Sequence, residues 1–165
     1  MKTLTLVRHA KSSWSNTNLS DRKRPLNKRG KRDAPIMGKR ILEHGIRPSL
    51  IVSSPATRAW TTAKIIAREI SYPLEFLQRE DSLYLASLNE ILDVIMEQDN
   101  EFNSLMVVGH NPGLTSAANF LSPGLTHNLP TAGVVSVQVD QDDWNLFERP
   151  KTRLLVHDYP KKLPD

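Results

Sequence analysis

The chain has 165 residues, 39% hydrophobic and 24% charged, and 22 Lys and Arg against 18 Asp and Glu give a formal charge of +4. This is the size and make-up of one globular domain spanning 1–165, with a slight bias toward anionic ligands. The absence of cysteine excludes disulfides, thiolate metal sites and cysteine nucleophiles.

No stretch is apolar for long enough to cross a bilayer. Lys2 leads straight into a strand pattern rather than a secretory apolar region, so a cytoplasmic protein with no membrane partner is expected. Thr3–Val7 reads as a buried strand. Residues 11–25 are polar and read as a loop. Asn27 to Glu43 has helical spacing, with Ala34, Met37, Ile41 and Leu42 on one side and Lys and Arg on the other. Pro35 predicts a break or kink within it, and Gly45 a stop.

Ser49–Ser53 is a second short buried strand, and Pro55 to Ile70 a second helix with Ala59, Ala63, Ile66 and Ile70 inward. Leu74–Leu77 is predicted as a third strand, Leu88–Met96 as a helix, Ser104–Val108 as a fourth buried strand and Gly113–Leu121 as a short helix. Val134–Val139 alternates, which predicts a strand nearer an edge; Arg153–Val156 is a further candidate. Residues 158–165 read as a loosely held tail. Non-alternating strands separated by helices indicate an α/β sheet covered on both faces, with a more antiparallel final section.

Three of these strands end alike. The first runs into Arg8-His9, the second into Ser54-Pro55-Ala56-Thr57-Arg58, the fourth into Gly109-His110-Asn111-Pro112. Ligands of open α/β sheets bind outside the carboxyl ends of the strands. As parallel neighbours, these strands would bring two Arg and two His into one crevice. Ser54-Pro55 and Asn111-Pro112 each fit an N-cap followed by a first helical residue, which would aim two helix N-termini there. Taken singly, each feature has an ordinary explanation as a surface pair, a turn residue or a solvated charge. Together, two Arg and two His repel one another unless a phosphate-like dianion joins them.

Arg flanking His9 and His110 makes a metal cation an unsuitable guest, so no metal and no cofactor are expected. A neutral imidazole is a competent nucleophile toward phosphorus, and nearby Arg charges keep it neutral. The same Arg groups suit the charge of a transferring phosphoryl group. Glu80 and Asp81 are candidates for a proton donor at the crevice mouth.

The stretches LVRHAKSSW, SSPATRAWTTA and VVGHNPGL resemble the histidine phosphatase superfamily. The resemblance implies a phosphoglycerate-mutase-like three-layer α/β/α sandwich with a mostly parallel central sheet. It also implies that His9 accepts the phosphoryl group, with Arg8, Arg58 and His110 around it. RPLNKRG (24–30) and DSLYLAS (81–87) are similar to SixA-type phosphohistidine phosphatases. By that match Asp81 takes the proton-donor position, where Glu is commoner, while Arg24, Ser12 and Asn111 join Arg8, Arg58 and His110 as substrate-binding candidates. Ala10 stands where Gly is usual. Lys11 and Ser15 depart from the mutases and argue against mutase activity. Only about 20 residues separate Arg58 from Asp81, leaving no room for the insertion that covers a mutase's substrate.

The expected partner is therefore a phosphorylated protein carrying phosphohistidine, with a small phosphorylated metabolite as the alternative and a non-catalytic phosphate-recognition module as a reading of another class. Lys28, Arg29, Lys31, Arg32, Lys39 and Arg40 form a basic helix face. Without interleaved aromatic residues it reads as solvated rather than as a nucleic-acid surface.

Overall fold

The computed structural model describes residues 1–162. One six-stranded sheet comprises β1 (Lys2–Arg8), β2 (Leu50–Ser53), β3 (Gln78–Arg79), β4 (Ser104–Gly109), β5 (Val134–Val139) and β6 (Thr152–Asp158). Its order is β3-β2-β4-β1-β5-β6; β1 to β4 are parallel, β5 is antiparallel to β1, and β6 is antiparallel to β5. The mostly parallel sheet with helices on both faces is the predicted α/β class.

Alternate side chains of each strand feed two cores, as the period of two requires. Leu4, Leu6, Leu105 and Val107 face α3 (Leu88–Met96) and α4 (Gly113–Leu121), meeting Ile91, Ile95, Leu114 and Ala118. Val7, Met106 and Val108 face α1 (Lys28–Glu43) and α2 (Thr57–Glu69), meeting Met37, Ile41, Ala63 and Ile66. All of these side chains are buried. The Ser87 hydroxyl and the Glu90 carboxylate start α3 with a reciprocal capping box. Among the described residues, no helix is long and apolar enough to cross a membrane.

Several local expectations are corrected. Leu74–Phe76 is a 3-10 turn, and only Gln78–Arg79 pairs with β2. Helix α1 runs through Pro35 without a break; the carbonyl that loses its partner there belongs to Lys31, an exposed residue where water can take over. Helix α2 begins at Thr57 after Ala56, not at Pro55; α4 spans Gly113–Leu121 as expected, but its N-cap is Pro112 rather than Asn111. Strand β5 is interior and almost wholly buried, and β6 forms the edge.

The tail is tied down as far as it is described. Asp158 is bonded by Arg40 and His44, and Arg40 also donates to the carbonyls of Tyr159 and Pro160. The rest of the predicted loose tail, 163–165, lies outside the described residues.

Candidate active site

The register aligns the carboxyl ends of three adjacent parallel strands: Arg8 of β1 lies opposite Gly109 of β4, and Val108 opposite Ser53 of β2. The segments that follow meet in a cleft of about 270 Å³ lined by Arg8, His9, Lys11, Ser12, Asp21, Arg24, Arg58 and His110, with Trp14, Leu85, Asn111 and Thr131 completing its wall. The sheet thus brings Arg8 and His9 after β1, Arg58 after β2 and His110 after β4 together.

The loop after β1 is held on several sides. The amide of His9 donates to Gly109 O at 3.1 Å, and the His9 carbonyl accepts from Ala132 N at 3.1 Å. Ala10 N donates to Thr62 Oγ1 at 3.0 Å, and that hydroxyl donates to Arg58 O at 2.7 Å, linking the loop to α2. Gly30 at the start of α1 lies so close to Lys11 that a Cβ there would sit 2.1 Å from the Lys11 carbonyl oxygen.

His9 Nδ1 lies 2.7 Å from its neighbour's carbonyl, Ala10 O. A carbonyl can only accept, so Nδ1 carries the proton and Nε2 keeps its lone pair. Burial, then the charges of Arg58, Arg8 and Arg24, push the ring down to about 4 against the opposing pull of the Ala10 carbonyl. His110 lies beside it with ring centroids 5.2 Å apart. Its Nε2 meets Ser54 Oγ at 2.7 Å, and Ser54 Oγ accepts from Ala56 N at 3.2 Å. Ser54 therefore anchors an imidazole rather than capping a helix. Burial, then His9 and Arg58, push His110 down to about 3. Both rings are neutral near pH 7, which removes the mutual repulsion of two adjacent imidazolium ions.

Arg58 is almost wholly buried and is not left awaiting an anion from outside. Its Nη1 donates to Asp21 O at 2.7 Å and its Nη2 to Asp21 Oδ2 at 3.0 Å. Arg24 Nε donates to Asp21 Oδ1 at 3.1 Å, and the Tyr84 hydroxyl donates to Oδ2 in a short hydrogen bond. The Tyr84 hydroxyl, then Arg58 and Arg24, hold the Asp21 carboxyl down at about 2 against the effect of burial. Burial and this carboxylate push the Tyr84 phenol up. Arg8 donates through Nη1 to Leu129 O at 3.0 Å, and burial lowers its pKa, leaving a guanidinium that stays charged. Arg8 Nε, Arg58 Nε and His110 Nδ1 are buried without a hydrogen-bond partner among the described residues.

The other predicted residues fall into place differently. Ser12 Oγ accepts from Arg24 Nη1 at 2.8 Å, and the Arg24 guanidinium lies 3.5 Å over the Trp14 ring. Asn111 lines the cleft, but its amide group is engaged internally. Its Nδ2 donates to Asn128 Oδ1 and Leu129 O, and its Oδ1 accepts from the amide and hydroxyl of Thr115. Asp81 does not line the cleft. Its side chain is 84% exposed and pairs with Arg22 at 3.3 Å. Glu80 accepts from Ser82 and caps the turn Asp81–Leu83.

Asp21 was passed over within a polar loop. The available signal was that it is the only carboxylate in the first 32 residues, set next to Arg22, Lys23 and Arg24. Trp14 and Leu85 at the mouth were also missed; they are 71% and 55% exposed. Leu85 holds φ 50, a left-handed conformation that costs a leucine about 1–2 kcal/mol.

A net positive cleft at the strand ends, with a neutral imidazole whose lone pair is free, has the chemistry that suits a phosphoryl group. Residues 4–82 match the histidine phosphatase superfamily (branch 1). The chain belongs to that superfamily. It is 31% identical over 151 residues to an uncharacterized chloroplastic protein of Arabidopsis thaliana, covering 86% of this chain and 68% of that one. The structure is similar to that of SixA from Agrobacterium tumefaciens, with a TM-score of 0.82 and 27% identity over 96% of this chain and 98% of that one. It also shares the fold of a protein histidine phosphatase SixA complexed with tungstate, with a TM-score of 0.79 and 19% identity over 96% and 97% of the two chains.

Proposed function

We propose that this protein is a metal-independent phosphatase that passes a phosphoryl group through His9 and takes it from phosphohistidine in a protein. The observation that carries this reading is the state of His9: Nδ1 is tied to Ala10 O, and the ring is neutral, so Nε2 can attack phosphorus at physiological pH. Arg8, Arg58 and Arg24 supply fixed positive charge for the phosphoryl oxygens in a partly buried setting, where such charge acts strongly. His110 adds a neutral ring to the wall without a further charge. In the first step the bond from phosphorus to the leaving nitrogen breaks as a bond to His9 Nε2 forms; in the second, water releases phosphate and restores the ring.

The cationic lining disfavours a metal ion as guest. Support for a protein substrate comes from the mouth, where exposed Trp14 and Leu85 offer apolar surface to a macromolecule. A protein histidine phosphatase of the same fold, with tungstate bound, is consistent with this reading.

The experiment is a side-by-side assay on a phosphohistidine protein, a phosphoserine peptide and common sugar phosphates, with chelator throughout. The phosphohistidine protein is expected to have the highest kcat/KM, undiminished by chelator. Preference for a sugar phosphate would replace the protein substrate with a metabolite, and loss of activity in chelator would refute metal independence.

A further inference from the structure

We propose that Asp21 selects the leaving group: its carboxylate accepts a hydrogen bond from the protonated distal ring nitrogen of a phosphorylated imidazole, fitting the cleft to phosphoramidates over phosphate monoesters. This rests on the phosphatase reading above and deepens it.

Among the described residues, Asp21 is the only carboxylate lining the cleft. It enters from the turn Asp21–Lys23 and meets α2 through Arg58, the following loop through Arg24, and the segment before α3 through Tyr84. A carboxylate accepts at about four lone-pair positions. Arg24 Nε takes one, and Arg58 Nη2 and the Tyr84 hydroxyl take two more, so one remains. With 40% of its side chain exposed, Asp21 can offer that position to a ligand.

Its surroundings settle what it can do. Two guanidinium groups and a phenol hold it ionised, so it has no proton to give to a departing alkoxide. Beside a monoester dianion it contributes only repulsion. Phosphohistidine differs because the unphosphorylated ring nitrogen can carry a proton. With that proton in place, the phosphorus–nitrogen bond breaks and its electron pair stays on the ring nitrogen. Phosphorus bonds to His9 Nε2, and the ring departs as neutral imidazole, keeping its distal proton. No separate acid is required. A fixed anion at the distal nitrogen favours this protonated, reactive form. The same arrangement explains how the site can work with Asp81 directed to solvent.

The test compares Asp21→Asn with wild type on a phosphohistidine peptide and on p-nitrophenyl phosphate, whose leaving group has no proton to share. Asp21→Asn is expected to lower kcat/KM on the peptide about 10- to 100-fold more than on the aryl phosphate, the effect of one hydrogen bond to a charged group. Tyr84→Phe keeps the carboxylate and is expected to keep the ratio of the two substrates within about threefold of wild type. If Asp21→Asn does not fold, Asp21→Glu carries the test, because it retains the charge but displaces it, and its ratio is expected to fall about tenfold.

Equal losses on both substrates would mean that Asp21 only positions Arg58, and would overturn the proposal. An unchanged ratio would overturn it as well, as would a Tyr84→Phe shift equal to that of the Asp21 variant. Failure of the phosphatase reading is separately visible as wild-type protein that does not turn over the peptide.

Discussion

Lowering the pH from 7 to 5 should destabilise this protein through its two cleft imidazoles. In the folded chain His9 titrates at about 4 and His110 at about 3, whereas an unfolded His titrates at about 6.5. Between these values the unfolded chain binds more protons than the native one, so stability falls as the pH falls. At pH 5 each ring has lost about 2 kcal/mol, and the pair about 4 kcal/mol. This is a large share of the about 5–15 kcal/mol that holds a domain folded. Asp21 has the same sign but a lower window, between about 2 and its unfolded value of 3.8, and adds nothing at pH 5. The assay is urea unfolding at pH 7 and pH 5 in phosphate-free buffer, comparing wild type with His9→Gln/His110→Gln. Titration of the remaining groups is common to both proteins. Wild type is expected to lose about 4 kcal/mol more than the double variant over this interval. Losses equal to within about 1 kcal/mol would refute the claim that both rings are buried in neutral form.

Two substitutions test the surroundings. Gly30→Ala places a Cβ 2.1 Å from a backbone oxygen that cannot swing aside. It is expected to cost about 3 kcal/mol in chemical denaturation and to reduce turnover by displacing the Lys11 loop. An unperturbed melting curve would show that α1 does not fix that loop. Asp81→Asn alters a side chain paired only with Arg22 at the surface. Its kcat/KM on a phosphohistidine peptide is expected to stay within about twofold of wild type, and a loss of about 100-fold would restore Asp81 as the proton donor.

The sheet was legible where the signal was local. The apolar runs at 3–7, 49–53 and 104–108 became adjacent parallel strands, and the residues following them face one cleft. What failed depended on tertiary context. The alternation of Val134–Val139 predicts a strand nearer an edge, but Ser136 is buried with its hydroxyl 2.9 Å from Thr5 Oγ1 on β1. Leu74, Phe76 and Leu77 read as strand by composition, yet Phe76 is 60% exposed and the segment turns. Asp21 shows the same limit at the site. Its partners Arg58 and Tyr84 are 37 and 63 residues away, and no short window of sequence links them. Asp81 is the expected donor because a motif match fixes chain position, whereas access to a cleft depends on the loop that closes it.

Transfer through His9 is tested most directly by rapid quenching of the enzyme with a phosphohistidine donor labelled on phosphorus, followed by mapping of the protein-bound label. His9 is expected to carry an acid-labile, alkali-stable label, missing from His9→Ala and cleared by further turnover. Label on another residue, or hydrolysis by His9→Ala at the wild-type rate, would contradict transfer through His9.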